Sequence, residues 1–68
     1  FSYDEIENLY FFSSKRWDLE LKNKIIIKLS RNYPMDSLQL AFEFLNNNNF
    51  KDIKVIDARI KNQIILNG

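Results

Sequence analysis

The sequence predicts an α+β fold: two β-hairpins and two helices in the order α-ββ-α-ββ, with the helices packed on one face of an antiparallel-rich sheet. Three observations carry this. From Arg16 the apolar residues alternate with polar ones at period 2. After the lone proline, Pro34, they recur at period 3.6. From Ile53 to Leu66 alternation returns, broken by a polar turn at Lys61 and Asn62.

Taken in order, Ser2 with Glu5 fits a capping box, and Asp4, Glu5 and Glu7 crowd the turn where a helix dipole favours negative charge. Tyr3, Ile6, Leu9 and Tyr10 then share one helical face, so a short helix over Tyr3 to Phe11 is expected to pack its aromatics into the core. Trp17, Leu19 and Leu21 point one way along the next segment while Arg16, Asp18, Glu20 and Lys22 point the other, which is a strand with one buried face. The turn falls at Lys22 to Lys24, with Asn23 as the residue that tolerates a positive φ, and Ile25, Ile27 and Leu29 continue as a second strand.

Pro34 ends the sheet and opens a helix, either as its first residue or two positions ahead of a cap at Asp36. Met35, Leu38, Ala41, Phe42 and Leu45 form the stripe that covers the sheet. The asparagine run Asn46 to Asn49 stops the helix. A strand over Ile53 to Ile60 places Ile56, Ala58 and Ile60 opposite Val55, Asp57 and Arg59, and a last strand follows at Gln63 to Leu66. That last strand is expected at the edge of the sheet, with Ile64, Ile65 and Leu66 apolar where an edge is usually blunted by charge or proline.

The inventory argues against catalysis. Cysteine and histidine are both absent, which removes a disulfide framework, Cys or His metal sites and a base for Ser13, Ser14, Ser30 or Ser37. Asp18, Glu20 and Asp57 stand beside Lys or Arg and are expected to form solvated cross-strand pairs rather than an acid/base couple. No enzyme, cofactor or metal is expected. Ten basic and nine acidic residues give a net charge of +1, too weak a field to argue for nucleic acid or an anionic membrane. The 68 residues make a single unit, 1–68, and no apolar run in them is long enough to span a bilayer. Opening at Phe1 rather than methionine, the chain is expected to be an excised piece of a longer protein.

The ordered set of Arg16-Trp17, Leu19 and Leu21, a polar turn, Ile26 to Leu29, a helix, and Val55-Ile56-Asp57-Ala58-Arg59 resembles the C-terminal part of the β domain of the FtsQ/DivIB cell-division proteins. That family's pattern is a basic pair and Trp leading a strand, L-x-L, a turn, I-x-x-L, a helix, then V/I-D-L-R, and the match runs over about residues 9 to 66. Ala58 stands where the family has Leu, and both turns lack the family's frequent Gly.

The resemblance implies a non-enzymatic scaffold of the divisome. Such a protein would be anchored at the periplasmic face of the bacterial inner membrane by one N-terminal helix, followed by a POTRA domain and then this β domain; the helix and the POTRA domain are not among these residues. Its expected partners are FtsB- and FtsL-type proteins, captured when an FtsB segment adds as a strand to the last strand of the sheet. By position, Arg59, Ile60, Asn62 and Gln63 match the family's partner-contacting residues, Lys15 and Arg16 its basic pair, and Ile64, Ile65 and Leu66 the backbone edge. The alternative is a free-standing α+β module binding single-stranded nucleic acid or an unrelated protein, with Trp17, Tyr33 and Phe50 near Arg16, Arg31 and Lys51 as its stacking and basic groups.

Overall fold

The computed structural model describes residues 3–47 and 52–67. It is α+β, a five-stranded mixed sheet with one α-helix among the described residues. The elements are β1 (Ile6–Phe11), β2 (Trp17–Leu21), β3 (Ile26–Leu29), α1 (Pro34–Asn47), β4 (Val55–Ala58) and β5 (Ile65–Asn67). The strands lie in chain order, β1-β2-β3-β4-β5. Every neighbouring pair is antiparallel except β3 and β4, which run parallel with α1 as the crossover between them.

The two-helix order is therefore corrected. A 3-10 turn spans Tyr3–Glu5, and the residues expected to continue it as a helix form β1 instead. The physical reason is a β-bulge. Register passes from Ile6 opposite Leu21 to Asn8 opposite Glu20, so Glu7 is the extra residue and Ile6 falls on the same face as Leu9, opposite Leu19. Two apolar residues three apart on one face look helical in sequence, yet here the bulge produces that spacing in a strand. Pairing with β2 also supplies hydrogen bonds along this segment, where an isolated helix of so few residues is marginal.

Both hairpins between β1, β2 and β3 use the same loop. Phe12 N–H donates to Arg16 O and Lys15 N–H to Phe12 O; Leu21 N–H donates to Ile25 O and Lys24 N–H to Leu21 O. Each loop is three residues long and closes on a lysine in the left-handed region, Lys15 at φ 66° and Lys24 at φ 76°. Asn23 does not take the positive φ; its Oδ1 accepts the Ile25 N–H at 3.2 Å and shapes the turn from the side chain.

The helix starts at Pro34, so Asp36 lies inside its first turn and does not cap it. Its inward side chains Leu38, Ala41 and Leu45 meet Leu19, Leu21, Ile25, Ile27, Leu29 and Ile56 in one core, with Phe42, Ile53 and Ile64 packed partly against it. Met35, expected in that stripe, is exposed, and so is Trp17. Trp17 lies beyond the cover of α1, which packs chiefly over β3 and β4, and Met35, in the first turn of α1, faces the groove over that uncovered part of the sheet. The capping residue Ser2, the asparagines Asn48 and Asn49, and Phe50 and Lys51 lie outside the described residues.

Candidate functional site

Among the described residues β5 pairs with β4 alone and forms one edge of the sheet. Asp57 stands opposite Ile65 and Ile56 opposite Leu66, so Ile65 projects on the face away from α1 and Leu66 on the helix side. Both are exposed, while Ile64 packs partly into the core. The strand is shorter than the stretch expected, three residues from Ile65, because Ile60 to Gln63 fold into a turn in which Gln63 N–H donates to Ile60 O at 3.1 Å. Asn62 supplies the left-handed residue of that turn at φ 62°. β4 likewise ends at Ala58, so Ile60 leaves the strand face on which it was expected and is exposed beside Tyr33 and Ala58.

The opposite edge, β1, is built differently. It is six residues long, but it carries the bulge at Glu7, and a bulge with a charge is a device that discourages pairing with a further strand. β5 has neither charge nor proline.

Charged groups gather on the face away from α1. Asp18, Lys28 and Asp57 are successive partners across β2, β3 and β4. Each aspartate is also held by an arginine two residues away. Arg16 donates from Nε and Nη2 to the two oxygens of Asp18 at 3.1 and 3.4 Å. Arg59 donates from Nε at 2.9 Å and Nη2 at 2.7 Å to Asp57, whose Oδ1 also accepts the Arg59 backbone N–H at 3.1 Å. Hydrogen bonds from Arg59, with the charges of Arg59 and Lys28, hold the Asp57 carboxyl below its ordinary value despite its burial. Asp18 and Asp57 are therefore buried and paired, where solvated pairs were expected.

Glu20, further along the same face of β2, accepts from Asn8 Nδ2 at 2.8 Å and from Tyr10 Oη at 3.2 Å, which lowers its carboxyl pKa and raises that of the Tyr10 phenol. Among the described residues no buried side-chain polar atom lacks a partner, and no three acidic groups converge as a metal cluster would require.

Of the residues expected to meet a partner, Arg59, Ile60, Asn62, Gln63 and Ile64 lie in the segment between β4 and β5, and Ile65 and Leu66 lie in β5 itself. Lys15 and Arg16 lie at the same end of the sheet but in the β1–β2 loop, three strands away from β5. Arg16 is engaged twice, with Asp18 and over the Phe12 ring at 4.9 Å. Lys61 lies over the Tyr33 ring at 4.7 Å. The Asp18–Lys28–Asp57 row was the part of this surface that sequence reasoning missed. Its signal is the pair of mirrored spacings Arg16-x-Asp18 and Asp57-x-Arg59, which place each arginine on the same strand face as its aspartate.

Among the described residues no helix is long and apolar enough to cross a membrane. Comparison of the chain with protein-family models, with curated proteins and with solved structures finds no match.

Proposed function

We propose that this chain is a non-enzymatic scaffold fragment of the bacterial divisome, of the FtsQ/DivIB type, that recruits FtsB- and FtsL-type partners by strand addition to β5. The observation that supports this reading is the outer position of β5, a strand without charge or proline whose neighbour on one side is β4 and on the other side is open. An added strand would satisfy the outward-facing backbone groups of β5 and lay alternate side chains against Ile65 on one face and Leu66 on the other. Arg59, fixed by Asp57 beside this edge, adds a rim charge for an acidic partner. Exposed pairs of that kind contribute about 0 to 1 kcal/mol and act more on encounter than on affinity. The full protein would sit at the periplasmic face of the inner membrane, anchored by a segment other than these residues.

A second reading is kept because Phe11, Phe12 and Trp17 are exposed near Arg16, which suits a small module that stacks single-stranded nucleic acid. Binding of an FtsB-type segment and of a single-stranded oligonucleotide, each titrated from low to moderate salt, separates the two. Strand addition predicts tight capture of the FtsB-type segment that changes little with salt. Capture of the oligonucleotide with a loss of about 1,000-fold or more over that range would assign the chain to the second reading. Failure to capture the FtsB-type segment at any salt overturns the first.

A further inference from the structure

The helix face of the sheet is only half covered. α1 lies over β3 and β4, and beyond it an apolar groove of about 330 Å³ runs between β1, β2 and the start of the helix, with Ile6, Leu19 and Leu38 among its lining. Large side chains surround it in solvent: Tyr3 is 64% exposed, Met35 61%, Leu9 59% and Trp17 40%. Phe11, 57% exposed, stands beside the groove with its ring 4.6 Å from that of Trp17. None of these side chains is charged. They form one continuous surface, not scattered exposed residues.

We propose that this surface is the interface of a homodimer, in which a second copy of the chain covers the β1–β2 half of the helix face about a two-fold axis. Two observations select a second copy as the occupant. The first is arrangement: the exposed Phe11 ring, packed against Trp17, stands directly beside the groove, so a two-fold axis between ring and groove would set each ring against the other copy's groove. The second is area. With each large apolar side chain contributing on the order of 200 Å² when fully buried, the exposed parts of these five amount to about 500 Å² per chain, or roughly 1,000 Å² for the pair, the lower bound for a specific interface. The neutral patch also brings no like charges together when it meets itself. Because β5 is the opposite edge of the sheet, both copies keep it open.

Sedimentation equilibrium of the chain across a wide concentration range tests this, with emission from Trp17, the chain's single tryptophan, followed in parallel. The expected result is a concentration-dependent doubling of mass accompanied by a blue shift of the emission. Leu9→Lys and Phe11→Lys, both at exposed positions that leave the core intact, are each expected to weaken association by about 100-fold or more, since the two-fold axis counts every change twice. Ile65→Lys, on β5, is expected to leave the dimer unchanged. A monomer at every concentration overturns the proposal. So does a dimer that Ile65→Lys dissociates and Leu9→Lys does not, which would place the contact at the β5 edge instead. Circular dichroism of each variant identifies any that has failed to fold, and the remaining lysine variant then decides.

Discussion

Arg59 gives three hydrogen bonds to the carboxylate of Asp57, two residues earlier in the chain, one from its own backbone N–H and two from its guanidinium. The pair sits at the last turn before the open strand, with Asp57 directly opposite Ile65. A guanidinium held this way has lost most of its rotamer freedom before a partner arrives. Asp57 is buried while Arg59 keeps about half of its side chain in solvent, so the pair joins the sheet interior to the rim of the candidate docking edge.

A pH dependence follows from the depressed Asp57 carboxyl. The unfolded chain takes up a proton near the ordinary value of 3.8, and the folded chain only at lower pH, so the unfolded state binds more protons in the interval between. The stability from this pair is full above about 3.8 and disappears as pH falls through the folded value. Asp57→Asn is expected to cost about 1 to 2 kcal/mol at neutral pH, a range reduced for the solvent around Arg59, and to flatten the acid limb of the profile. Urea unfolding midpoints of both proteins, from neutral pH into acid, measure it. An unchanged acid limb in Asp57→Asn would mean that other carboxylates set it.

Strand addition predicts a sharp contrast between neighbouring backbone changes and nearby side-chain changes. Neighbouring residues in a strand aim their N–H groups to opposite sides, so of Ile65 and Leu66 one bonds to β4 and the other faces the open edge. Proline at Leu66 or at Ile65 is expected to abolish capture of an FtsB-type segment, one by removing the outward donor and the other by loosening β5 from β4. Lys61→Ala, whose ammonium is occupied with the Tyr33 ring, is expected to change affinity by less than about threefold. Pull-down followed by titration calorimetry reads this directly, and equal binding by all three variants would exclude the mechanism.

Ser37 ties α1 to the ends of β3 and β4. Its Oγ accepts the buried Ser30 N–H at 3.0 Å, and its single proton is shared between Ala58 O at 2.8 Å and Tyr33 O at 2.9 Å. Ser37→Ala leaves the Ser30 donor and the Ala58 acceptor without this partner inside the protein, and about 1 to 3 kcal/mol of stability is expected to go with them. For a chain of this length each kcal/mol moves the melting temperature by about 4 to 8 °C, so calorimetry resolves the change easily. A shift smaller than this range would mean that water replaces the hydroxyl.

Residues whose periodicity is local and unbroken were legible in the sequence. Leu19 and Leu21, then Ile25, Ile27 and Leu29, alternate cleanly and are buried as expected; Leu38, Ala41 and Leu45 keep helical spacing and face the sheet. β1 was not legible, because the bulge at Glu7 shifts the phase of its alternation and makes Ile6 and Leu9 look helical. The parallel pairing of β3 with β4 leaves no mark in either segment, since it depends on α1 returning the chain to the starting end of the sheet. Trp17 shows the same limit at the level of one residue. It lies on the core face as its spacing requires, but what covers that face is decided by the path of α1, and α1 stops short of it. At the candidate site, position along the chain marked the β5 edge, whereas the three-strand charge row depended on a register that no single segment reveals.

The two equivalent hairpin loops carry a last prediction. Each ends on a lysine with positive φ, Lys15 at 66° and Lys24 at 76°, where a side chain with a Cβ is strained and glycine is not. Both lysines are exposed, and neither makes a salt bridge among the described residues. Replacing either by glycine removes a left-handed penalty of about 1 to 2 kcal/mol and adds a somewhat smaller entropy to the unfolded chain, for a net gain of about 0.5 to 1 kcal/mol each. The loops lie at opposite ends of β2, so the double variant is expected to gain nearly the sum. Chemical denaturation of Lys15→Gly, Lys24→Gly and the pair tests this. A loss of stability at Lys24 would show that its loop closes through the Asn23 side chain, bonded to Ile25 N–H, with a different backbone at position 24.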